Sequence, residues 1–357
     1  MQKTRILNCV QAINEALHIS MKNSEKLLCF GLGINDKGRI FGTSLGLLEA
    51  FGKERVFDFP TSENAMTGIS IGLAINGFPN IVTHQRMDFV LLAIDQIVNS
   101  AAKWNFMFGG KQSVPITIRL IVGKGWGQGP THSQSFQSWF AHIPGLKVVA
   151  PSNAYNAKGL LLSAIRDPNP VIFIEHRWIH HTTSKVPSGE YFLEIGKPVY
   201  RRRGTDLTVI TSSYLVNQTE KIANLLSEFD ISCEIIDIQS YSPIDFNLIL
   251  ESVKKTKKVI ILDYSHDNYS ITKEISHQIY TSLFGKLQKP ILTIGEPNIP
   301  EGTSFGFTKD YYFSDSYIAS QILKILDLEQ FSQSVNSRLS VNQIFHDVPD
   351  VSFSGPF

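Results

Sequence analysis

The stretch Val56-Phe57-Asp58-Phe59-Pro60-Thr61-Ser62-Glu63-Asn64, running straight into Ala65-Met66-Thr67-Gly68-Ile69-Ser70-Ile71-Gly72-Leu73-Ala74, decides how this chain is read. The short apolar run at Val56 is strand-like, Pro60 ends it, and the small residues after Glu63 suit a closely packed helix. A strand, a proline turn and an acid at a helix start together aim one carboxylate into a cleft. Outward from this stretch, apolar blocks of strand length and helix length alternate. Strands are expected at 27–30, 81–83, 116–122, 146–150 and 171–174, then at 207–210, 233–236, 259–262 and 291–294. Helices are expected at 10–21, 45–51, 89–107 and 156–166. The alternation predicts an α/β fold of two domains, each with a mostly parallel sheet flanked by helices and joined by right-handed crossovers. The expected division is 1–178, a linker at 179–204, a second domain at 205–331 and a tail at 332–357. His180-His181 falls in the linker and is expected to be solvated.

Composition narrows the function. The 357 residues carry 33 basic and 32 acidic side chains, a net charge of +1, so no electrostatic footprint for nucleic acid or an anionic membrane exists. Lys254-Lys255-Thr256-Lys257-Lys258 reads as a solvated helix end. Three cysteines, Cys9, Cys29 and Cys233, sit among apolar neighbours without a C-x-x-C, which predicts buried reduced thiols. Met1-Gln2-Lys3-Thr4-Arg5 lacks the pattern of a signal peptide, and no run is long and apolar enough for a membrane span, so a cytoplasmic protein is expected. His84, His142, His176, His180 and His181 lack metal-ligand spacing. Gly42-Thr43-Ser44-Leu45-Gly46 matches a hydrolase pattern, but polar loop residues precede it instead of a strand.

Three side chains are candidates for chemistry. Glu63 is a carboxylate at a helix start, able to share a proton in a partly dry site. Phe89, in Met87-Asp88-Phe89, could stack on a flat ring. His132 ends the glycine-rich loop Gly123-Lys124-Gly125-Trp126-Gly127-Gln128-Gly129-Pro130-Thr131, a setting that suits substrate contact or proton transfer near neutral pH.

The run from Leu28 to Trp178 resembles the β subunit of 2-oxoacid dehydrogenases, the decarboxylating component of pyruvate and branched-chain complexes. The family's D-T-P-I-x-E string is matched by Asp58-Phe59-Pro60-Thr61-Ser62-Glu63, and its F-x-x-x-A-x-D-Q helix by Phe89-Val90-Leu91-Leu92-Ala93-Ile94-Asp95-Gln96. Its H-S-Q and P-G-L-K-V-V-x-P strings are matched by His132-Ser133-Gln134 and by Pro144 through Pro151. The family's A-K-G-L-L string and the D-x-N-P after it are matched from Ala157 to Pro170. The resemblance implies a transketolase-type pyrimidine-binding domain followed by a transketolase C-terminal domain. It implies thiamine diphosphate as cofactor, with Glu63 bonded to its aminopyrimidine, Phe89 stacked on that ring and His132 acting on the substrate. It also implies potassium held by backbone oxygens at Ile116, Ala164, Ile165, Asp167 and Asn169. Relatives grip Mg²⁺ and diphosphate through a G-D-G string, and no Gly-Asp-Gly occurs here. A separate α subunit is therefore expected to hold Mg²⁺ and the phosphates in an α2β2 assembly, which a lipoyl acyltransferase could join. Two other readings are the C-terminal half of a split transketolase and a non-catalytic assembly subunit.

Overall fold

The computed structural model describes residues 3–340, 346–349 and 353. Met1, Gln2 and the rest of the 332–357 tail lie outside the described residues. Two α/β units are present, each built on its own sheet. The first sheet has seven strands in the order Ser240–Ser242, Lys147–Val149, Val171–His176, Ile116–Val122, Asn80–His84, Leu28–Gly31 and Val56–Asp58. All neighbours in it run parallel except Ser240–Ser242, which is antiparallel to Lys147–Val149. The central strand Ile116–Val122 is buried at every position, as a strand covered by helices on both faces must be.

The second sheet runs Leu292–Glu296, Val259–His266, Leu207–Thr211, Cys233–Asp237 and Val199–Arg202. Only Val199–Arg202 is antiparallel to its neighbour. Every strand expected from the alternation is present. The edge strand Ser240–Ser242 has no counterpart among those expectations, because it follows Cys233–Asp237 in sequence yet completes the sheet of the first unit. Its alternation is too short to register as a pattern.

Three regions differ from the sequence reading. The helical run at 89–107 changes pitch along its length, from a 3₁₀ helix at Met87–Ala93 through a π-helix at Gln96–Ala101 to an α-helix at Ala102–Met107. The expected linker is not a solvated strap throughout. Thr183–Pro187 pairs antiparallel with Thr4–Asn8, and His180 is buried at 1% exposure. His180 lies between Arg177, whose Nη1 donates to its Nδ1 at 2.7 Å, and Glu175 at 3.8 Å. Burial, reinforced by Arg177 and Arg119, holds its pKa well below the ordinary histidine value, so the ring is neutral. His181 alone of that pair is exposed. The described part of the tail also packs: Ser332–Ser340 is a helix with Val335 and Leu339 buried.

The first sheet encloses a charged pair. Arg119 is wholly buried on the central strand, its Nε donating to Glu175 Oε1 at 2.5 Å and its Nη2 to Glu175 Oε2 and Thr43 Oγ1, both at 2.9 Å. This fork ties two adjacent strands to the loop that follows Leu28–Gly31. The three cysteines are buried and unbridged. Burial raises all three thiols, Cys9 and Cys233 to about 12 and Cys29 to about 11, so none is a nucleophile near neutral pH.

Candidate active site

Parallel sheets place their functional loops at the carboxyl ends of the strands. In the first unit these ends lead into the loops after Gly31, Asp58, His84, Val122 and His176. Glu63, Phe89 and His132 each follow one of them.

Glu63 is the first residue of the helix Glu63–Ile75, reached from the edge strand Val56–Asp58 across Phe59 and Pro60. It is 6% exposed, and its carboxylate makes no hydrogen bond or ion pair to any described residue. Asp58, five residues earlier, is occupied structurally. Its carboxylate accepts from Ile34 N at 2.7 Å and Asn35 N at 3.0 Å, pinning the loop after Gly31. The Glu63 helix packs on the 3₁₀ helix that carries Phe89.

Phe89 and His132 meet. Their rings are 5.5 Å apart at 87°, an edge-to-face contact. Asp88 enforces the meeting, since its Oδ1 accepts from Gln134 N at 3.2 Å and Gln134 Nε2 at 2.8 Å. One carboxylate thus clamps the segment just before Phe89 to the segment just after His132. Both rings border a cavity of about 430 Å³ whose wall also includes Phe41, Gln85 and Arg86. Arg86 is buried, donates from Nε to Gln128 Oε1 at 3.1 Å, and lies 5.4 Å from the Phe41 ring. Burial lowers its pKa, with Asp88 opposing. The sequence reading missed Arg86 and Asp88, although both flank Met87 just before Phe89, where a strand end yields to a helix. Glu63 does not line this cavity.

Phe41 sits on an unusual turn. Arg39, Ile40, Phe41 and Gly42 all have positive φ, at 47°, 46°, 57° and 86°. Three consecutive side-chain-bearing residues in the left-handed region are costly, and such strain gathers at functional sites. The turn holds the Phe41 ring 4.0 Å from the Arg177 guanidinium.

The positions expected to hold potassium gather at the opposite end of the sheet. Ile116 begins the central strand, Ala164 and Ile165 lie in the last turn of the helix Ala154–Arg166, and Asp167 caps it. Lys147 donates to the Asp167 carboxylate, whose other oxygen accepts from Asn169 N at 3.0 Å. The side-chain Oδ1 of Asn169 is buried without a hydrogen-bond partner among the described residues.

Apolar side chains stand exposed around the Glu63 and Phe89 helices: Ile69, Leu92 at 67% and Phe106 at 87%. Among the described residues no helix is long and apolar enough to cross a membrane.

Residues 7–179 match the family model of the transketolase pyrimidine binding domain, and residues 196–316 match that of the transketolase C-terminal domain. The pyruvate dehydrogenase E1 component subunit beta of Bacillus subtilis (strain 168) is 36% identical over 293 residues, covering 82% of this chain and 90% of its own. The beta subunit of acetoin:2,6-dichlorophenolindophenol oxidoreductase of the same organism is 36% identical over 90% of this chain and 98% of its own. The 2-oxoisovalerate dehydrogenase subunit beta, again from Bacillus subtilis, is 36% identical over 86% and 94%. A solved split gene transketolase, described as an inactive beta4 tetramer, superposes with a TM-score of 0.73 over 90% of this chain and 99% of its own, at 17% identity, so the likeness is one of fold. By these matches along nearly its whole length, the chain belongs to the family of E1 β subunits of pyruvate, acetoin and branched-chain 2-oxoacid dehydrogenases.

Proposed function

We propose that this chain is the β subunit of a thiamine diphosphate-dependent enzyme that decarboxylates a 2-oxoacid and passes the acyl unit to an acceptor, active only with an α subunit. The carrying observation is Glu63: an acid 6% exposed, at a helix start, with no donor among the described residues. A carboxylate on a largely covered residue that its own chain gives no donor is free to meet a donor from outside the chain. The residues fit half of the cofactor and no more. An acid and an aromatic ring suit an aminopyrimidine, while nothing in the sequence supplies the G-D-G route to Mg²⁺ and diphosphate.

When bound, thiamine diphosphate supplies the electron sink for loss of carbon dioxide. Glu63 would hold the pyrimidine ring nitrogen and share one proton with it, donating when the carboxyl carries that proton and accepting when the ring does. Phe89 would pack against the pyrimidine, and its edge-to-face contact with His132 keeps that ring at the rim. His132 is exposed, with Nδ1 3.0 Å from Thr131 Oγ1, and meets the substrate's polar groups. The α subunit covers the exposed apolar surface near Ile69 and Leu92 and brings Mg²⁺, with α2β2 stoichiometry. Potassium would bind through backbone oxygens at Ile116, Ala164, Ile165, Asp167 and Asn169. A lipoyl acyltransferase is the proposed acceptor, and the cytoplasm the proposed compartment. The family matches favour this reading over a split transketolase or an assembly subunit.

The test is co-purification with candidate α subunits followed by thiamine diphosphate titration. Negligible binding to the chain alone and tight binding to the pair is the expected result. Tight binding and turnover by the chain alone would refute the shared-site reading.

A further inference from the structure

The glycine-rich loop that ends at His132 is held from the second domain. Lys124 is buried at 1% exposure, and its Nζ donates to Glu296 Oε2 at 2.7 Å and lies 3.6 Å from Glu301 Oε2. Gly125 N–H donates to the Tyr312 hydroxyl at 2.9 Å, and that hydroxyl donates to Glu301. Farther along, Gly127 and Gly129, with φ of 66° and 73°, lie so close to Thr303 that an added Cβ would meet its carbonyl oxygen at 2.9 Å and its hydroxyl at 2.5 Å. The segment from Glu296 to Tyr312 therefore clasps the loop along its length.

Ammonium and carboxylates removed from water in this way add little net stability, since desolvation offsets their attraction. What such a cluster provides is geometry: an uncompensated charge results from any other placement of the loop. The pairing also spans the two domains, 172 residues apart in sequence. Nothing in the roles of Glu63, Phe89 or His132 explains it.

We propose that Lys124, Glu296 and Glu301 are positioning residues through which the second domain sets where His132 stands against Phe89. The kinetic half of this proposal rests on the function proposed above; the structural half does not.

Hydrogen exchange of the full chain tests the structural half. In Lys124→Met, amides of residues 125–131 should exchange about 10-fold faster, a loss of about 1.4 kcal/mol in local protection. Those of Leu207–Thr211 should be unchanged. Lys124→Arg should restore part of the protection. Glu301→Gln keeps shape and decides the matter if Lys124→Met fails to fold. Lys221→Met, which breaks the exposed pair with Asp315, serves as the control. In the reconstituted α/β enzyme, Lys124→Met should lower kcat by about 10- to 100-fold, the cost of a misplacement near 1 Å, with a much smaller change in KM. Unchanged exchange in the loop overturns the clasp. Faster exchange with unchanged kcat overturns the positioning role. An inactive parent assembly counts against the proposed function, and the exchange result still decides the clasp.

Discussion

Replacing Glu63 by Gln removes one charge and keeps the shape. Glu63 makes no hydrogen bond or ion pair to any described residue, so the substitution breaks nothing within the chain. Stability should therefore stay within about 0.5 kcal/mol of the parent. Catalysis should not be spared. A carboxylate that shares a proton with the cofactor contributes as a general acid–base group, about 10²- to 10⁴-fold in rate, whereas an amide cannot take up that proton. Carbon dioxide release by the reconstituted α/β enzyme should fall by that factor. Cofactor affinity should fall far less, since the amide still offers an oxygen to the ring. The assay pairs turnover with denaturant unfolding and cofactor titration on the same preparations. Turnover within about 3-fold of the parent, under about 1 kcal/mol in barrier, would refute the assignment of Glu63. So would a loss of activity matched by an equal loss of folded protein.

Phe89→Ala should weaken thiamine diphosphate binding to the α/β pair by about 10-fold, the value of one aromatic contact, as read by fluorescence titration. Glu175→Ala strands the buried Arg119 guanidinium and should cost about 3–5 kcal/mol in urea unfolding; a cost near zero would show that the fork is not closed in solution. Asp237 gives a pH-dependent outcome. Burial pushes its carboxyl up to about 6 against the ordinary 3.8, with the Ser152 hydroxyl at 2.6 Å opposing. A raised folded-state pKa contributes stability that is full below about 3.8 and lost as pH climbs through about 6. Asp237→Asn should therefore gain on the parent as pH rises from 4 to 8, by roughly 3 kcal/mol at most. A difference that stays constant across that range would refute it.

Most strands of both sheets were legible because a strand covered on both faces reads as a short, mainly apolar run, as Ile116–Val122 does despite its buried Thr117 and Arg119. That Phe89 and His132 belong to one site was implied only by the ordered family strings, and their ring contact was not foreseen, since contact between residues 43 apart leaves no periodic trace. The edge strand Ser240–Ser242, the buried His180 and the clasp at Lys124 were not legible. The strand and the lysine depend on partners remote in sequence, Lys147–Val149 and the pair Glu296 and Glu301, while the histidine's partners Arg177 and Glu175 are near in sequence but carry no pattern that announces burial. A polar segment such as 176–182 reads as solvated until the groups that satisfy it are known. The change of pitch between Met87 and Met107 has no sequence signal that we can name.

The strand Ser240–Ser242 makes the order of synthesis matter. As the polypeptide leaves the ribosome, the backbone of Lys147–Val149 waits with one row of amides and carbonyls uncovered until residue 242 has emerged. During that interval the nascent first half presents an open β edge to other nascent copies. Severing the chain between the halves would make the interval permanent, and the amino-terminal fragment should then aggregate even though its own strands are all present.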